Sequence, residues 1–268
     1  MEPVQFNTTT VPRRKRAPIG LIVLAAVAGA FVLAGGAAYL FILIPVAHAK
    51  KSENQLKQIL LAVHNFHDSN LKLPDGNHYQ HDPATQFRDQ QKVHRFSWRV
   101  DILPFINHKP LYDRFKFDEP WDSEHNLRVA QEMPDMYRAP GDKSSNHTSF
   151  VAIADKDGAF PVPTRELPNR NGERQFGDFI DGLRTIAMTR VEGSGIVWTD
   201  PTGDISIDDF VRLAEQGAVS PPGTGKVRGP SLLVGNMDGS VLYLPRKISA
   251  KTIRALCTRD GGELIPGL

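Results

Sequence analysis

Two imidazoles and a carboxylate, His64, His67 and Asp68, fall close together on a helical pattern, and His78 and His81 follow within reach. Three nitrogen and oxygen ligands of this kind would suit zinc, but the spacing matches none of the Cys/His structural zinc modules. Packed or solvated histidines are the ordinary reading of such a cluster, and no metal ligand is assigned. Ser220-Pro221-Pro222-Gly223-Thr224-Gly225-Lys226-Val227 comes close to a phosphate-binding P-loop. That chemistry needs Gly first, for the turn, and Ser or Thr after the Lys, to hold Mg²⁺; Ser220 and Val227 occupy those two places. The segment reads as a Pro/Gly loop, with no nucleotide partner. Asp155-Lys156-Asp157-Gly158 is a fragment of a calcium loop. Glu166 stands at the twelfth loop position, but prolines interrupt the path to it, so a turn is expected.

Gly193-Ser194-Gly195 puts a serine between glycines, yet Glu192 displaces the first glycine of a nucleophile elbow, which leaves a hairpin turn. Cys257 sits beside Leu256 on a short helical pattern without a His partner, and reads as a small buried hydrophobe. Asp118-Glu119 and Asp208-Asp209 fall where turns and helix caps use acids. No nucleophile, base and orienting group can be assembled. The expectation is a non-enzymatic chain with no catalytic, cofactor-binding or metal-binding residue.

The elements that would position these residues begin with a run from Ala17 to Ala49 that contains no Asp, Glu, Lys or Arg, behind the basic cluster Arg13-Arg14-Lys15-Arg16. From Ile19 to Ile44 a helix would be about 39 Å long, enough to cross a hydrocarbon core of about 30 Å with tilt. The expectation is a single-pass transmembrane helix over 17–49, contacting membrane lipid. It would follow a cytoplasmic basic tail over 1–16 and precede an extracytoplasmic domain over 50–268. Ala47-His48-Ala49 also has the small-x-small spacing of a signal-peptidase site, but the apolar core is about twice the length of a secretory one.

Beyond the run, Leu56, Ile59, Leu60, Val63 and Phe66 lie on one helical face, so a long helix is expected to continue into the domain, with Pro45 as a kink. Residues 75–95 read as a loop. Ser97 caps a short helix carrying Trp98, Ile102 and Phe105, and a second helix starts at Asp122 and stops at Pro134. Strands are expected at Ser149–Ile153, Thr185–Val191, Ile196–Trp198, Ser231–Val234 and Ser240–Leu244, the last two joined at Asp238-Gly239. Ser206-x-x-Asp209 and Ser249 head two further helices. Helices first and strands later give an α+β domain with the long helix across an antiparallel sheet. The net charge of +2 offers no footprint for nucleic acid. One cysteine allows no intramolecular disulfide.

Several blocks together resemble a bacterial family, domain of unknown function 1559, described as type II secretion pseudopilin-like. They are Asn54 to Asp68, Ser97-Trp98-Arg99-Val100 to Phe105, Leu111-Tyr112-Asp113, Asp118 to Asn126, Met237 to Val241, and Leu256 to Glu263. The resemblance implies a pilin-like domain, an envelope location and other envelope or pilin-like proteins as partners. Relatives carry a cleavable prepilin segment where this chain reads Arg16-Ala17-Pro18-Ile19-Gly20-Leu21. They often have cysteines where this chain has Ser52 and Ala139-Pro140-Gly141, which fits a lost disulfide. The family's His before the Asp-Gly turn would align with Arg228. The other functional class open to the residues is an extracytoplasmic binding module for polysaccharide or peptide, using Trp98, Phe105, Tyr112, Phe115 and Trp121. Burial of those aromatics decides between the two.

Overall fold

The computed structural model describes residues 19–39, 43–78, 94–161, 174–180, 182–191, 193–216, 231–245 and 248–261. The chain opens with helices α1 (Ile19–Ala38) and α2 (Ile44–Asn70). The expected transmembrane helix is corrected here: among the described residues no helix is long and apolar enough to cross a membrane. α1 is described to Ala38, π-helical geometry stands at Tyr39 and Leu43, and α2 is described from Ile44; residues 40–42 lie outside the described residues. Pro45, the expected kink, sits in the first turn of α2, a place where its missing N–H is not needed. Ala47, His48 and Ala49 lie inside α2.

From Lys50 onward α2 becomes two-faced, as its sequence pattern requires. Leu56, Ile59, Leu60 and Val63 are fully buried, while Glu53 bridges Lys50 and Lys57 along the helix. The helix ends at Leu71, in the left-handed region at φ 59, with its N–H donated to His67 O. Gly76 follows at φ +68, and any Cβ there would lie 1.7 Å from Phe96 O. The expected loop over 75–95 is closed by a two-residue ribbon, β1 (Asn77–His78) against β2 (His94–Arg95); residues 79–93, with His81, lie outside the described residues.

Short helices α3 (Trp98–Asp101), α4 (Lys109–Tyr112) and α5 (Glu124–Val129) follow. Ser97 Oγ accepts from Arg99 N as the predicted cap, and Ser123, not Asp122, caps α5. Beyond α5 the chain tightens into a 3₁₀ turn at Ala130–Glu132 before Pro134, so the expected second helix is split. These pieces pack Phe96, Val100, Ile102, Leu103 and Phe115 beside α2 in one core.

The sheet is an antiparallel meander in sequence order, β3 (Phe150–Ala152), β4 (Ile186–Arg190), β5 (Ser231–Asn236) and β6 (Val241–Pro245). The hairpin between β5 and β6 turns through Asp238 and Gly239 at φ +81, as the Asp-Gly signal implies. No strand forms at Ile196–Trp198. Val197 makes only an isolated bridge to His147, because Gly193 and Gly195 take positive φ and turn the chain away. Its place is decided by Trp198, which is fully buried and donates Nε1 to Ala130 O at 2.8 Å.

Strand alternation divides the sheet between two cores. Phe150, Ala152, Met188 and Leu233 face α2, while Ile186, Leu232, Val234 and Leu244 face α6 (Ile207–Gln216) and α7 (Ala250–Cys257). A β-bulge between Ile186 and Met188 lets Ala187 join the first core as well. Both helices start at the predicted caps: Asp209 N donates to Ser206 Oγ, and Thr252 N to Ser249 Oγ. The fold is α+β, with the long helix on one face of the sheet and two short helices on the other.

Gly235 sets the distance between α2 and the sheet. A Cβ there would meet Leu60 Cδ1 at 2.6 Å and Leu56 Cγ at 3.1 Å. Gly235→Val should therefore lift the helix and cost about 1–3 kcal/mol, as overpacking does. The check is a lowered denaturant midpoint with unchanged slope; an unchanged midpoint would mean that α2 accommodates the added methyls.

Candidate functional site

The histidines on α2 are brought together, but as an aromatic stack. His64 and His67 both pack on Phe176, with ring centroids 4.6 Å and 4.1 Å away. His64 Nε2 lies 2.7 Å from Met237 O, to which it donates, and His67 Nε2 accepts from Phe176 N at 3.4 Å. His67 Nδ1 faces Asp68 at 3.8 Å. Among the described residues no group of three His, Cys, Asp or Glu side chains is placed to hold a metal ion. The imidazoles instead tie α2 to the β5–β6 turn and to the Phe176 segment.

The calcium-like turn holds a guanidinium. Arg174, buried, donates to the carbonyls of Gly158, of Asp155 at 2.7 Å and of Lys156 at 2.8 Å. Burial lowers the Arg174 pKa to about 10. The Asp155 carboxylate is used as well, accepting from Asp157 N and from Ile207 N at the start of α6. The turn thus has its cation supplied by the chain itself.

Ser194 Oγ donates to Thr148 O, and Gly193 and Gly195 take positive φ, so this serine is a turn residue with its hydroxyl engaged. Cys257 is fully buried among Ile253, Val211 and Phe210, and desolvation pushes its thiol well above the usual range. The P-loop-like segment 220–227, with Arg228, lies outside the described residues. Asp118 and Glu119 stand in a turn closed by Asn126, which is fully buried, accepts from Lys116 N and donates to the carbonyls of Lys116 and Pro120. Asp208 pairs with Arg254 across α6 and α7.

The aromatic residues considered for ligand binding are core. Trp98 and Phe115 are buried, and Phe105, Tyr112 and Trp121 pack against them half-buried. Trp98 also leads to a buried polar node that no sequence motif marks. The neighbouring Arg99 is fully buried. It donates Nη2 to Asp204 Oδ1 at 2.7 Å and to Phe150 O at 2.8 Å, Nε to Phe150 O at 3.1 Å, and Nη1 to Ser97 Oγ at 2.7 Å. Asp204 also accepts from Trp98 Nε1 and from Ala152 N. Tyr137 OH donates to Arg99 O at 2.7 Å, and burial raises the Tyr137 pKa beyond the usual range. The only local hint was an arginine flanked by apolar residues at the start of a helix; Asp204 carries none.

Residues 47–210 match a family described as protein of unknown function (DUF1559). The chain belongs to that family. No curated protein and no solved structure matches it. The DUF1559 stretch runs from the first turn of α2 to the first turn of α6, including the whole Arg99 node, while β5, β6 and α7 lie beyond it.

Contacts on either side of Ser52 hold α2 against the segment that contains Ala139. Gln55, one turn after Ser52, donates Nε2 to Asp135 O at 2.9 Å and to Arg138 O at 2.8 Å. His48, one turn before Ser52, lies by the backbone of Gly141, where a Cβ would be 3.7 Å from the ring. Ser52 and Ala139, both buried, are bracketed between these contacts.

Two measurements follow. Arg99→Met strands the Asp204 carboxylate inside the protein and should cost about 3–5 kcal/mol, seen as a large fall in the denaturant midpoint. A loss no greater than an ordinary surface substitution would show that the node is not structural. The double variant Ser52→Cys/Ala139→Cys should close a disulfide and add about 2–4 kcal/mol under oxidising conditions. Thiol titration would then count only Cys257 in the unfolded, unreduced chain; two additional reactive thiols would place the pair too far apart.

Proposed function

We propose that this chain is a non-enzymatic, pseudopilin-like assembly component of the bacterial envelope. Its domain works outside the cytoplasm, and its partners are other pilin-like or envelope proteins. The observation that carries the reading is α1. Its described side chains stand outside both cores, with Val23, Phe31 and Leu33 exposed to 55%, 75% and 76%. An apolar helix of this kind is costly in water and is relieved by burial against other helices.

The rest of the molecule supports this reading. α2 is anchored in the domain by Leu56, Leu60 and the close approach at Gly235. The serine, cysteine and histidine candidates considered for chemistry are engaged in turns, core and stacking. Burial of Trp98 and Phe115 weighs against the polysaccharide- or peptide-binding alternative, which would use them with Phe105, Tyr112 and Trp121.

Cysteine cross-linking in the host cell tests the proposal cleanly, because the native Cys257 is buried. A Phe31→Cys chain treated with a bismaleimide should yield adducts with second copies or other pilin-like chains, identified by mass spectrometry. Glu124→Cys, on an exposed position of the domain, should yield none. Absence of adducts at Phe31→Cys, or equal yields at both positions, would refute the assembly role.

A further inference from the structure

We draw no further inference here: the strongest candidate, the outer edge of the sheet at β6 with half-buried Leu242 and exposed Tyr243, is a strand edge for which nothing among the described residues shows what covers it.

Discussion

One buried charge organises the packing of the domain. Arg99 is fully removed from water, and an isolated guanidinium there would be prohibitive. Its N–H groups must be met from several parts of the chain: Ser97 before α3, Phe150 in β3, and Asp204 in the approach to α6. Each of those segments is thereby held in register with the others. Asp204 passes the constraint on, since the same carboxylate takes Trp98 Nε1 and the backbone N–H of Ala152. The helical half and the sheet half are joined by charge-assisted hydrogen bonds whose geometry tolerates little displacement.

Around that node the sheet acts as a partition. α2 lies against one face with Leu56 and Leu60, which come within reach of the β5 backbone because Gly235 has no side chain. The other face is covered by the apolar sides of α6 and α7. The two histidines of α2 extend the same contact, one bonded to Met237 O and both stacked on Phe176.

Residues that looked chemical in the sequence were recruited for architecture. The Asp155-Lys156-Asp157-Gly158 turn does gather carbonyls around a positive charge, but the charge is the Arg174 guanidinium. Nothing local to the turn announces this, because the arginine arrives from a separate segment. The same holds for Asp204, whose partners Arg99 and Trp98 lie far back in the chain. Helix caps at Ser97, Ser206 and Ser249 and the Asp238-Gly239 turn were legible, because a cap or a turn is satisfied within a few residues. The strand anticipated at Ile196–Trp198 failed for the complementary reason: its apolar pattern answers the core position of Trp198, and not a ladder.

By itself the sequence determined the α+β class, the amphipathic face of α2, the positions of the four main strands and the membership of the DUF1559 family, all of which rest on short-range periodicity or on local motifs. It also suggested a membrane-spanning helix, because an uncharged apolar run is read locally, whereas among the described residues no helix is long and apolar enough to cross a membrane. Only the tertiary structure decided the second helical layer, the Arg99–Asp204 node and the guanidinium in the acidic turn. Each of these joins groups that are distant along the chain and adjacent in space. Their energies come from burial and pairing, which no single segment possesses until the others have packed against it.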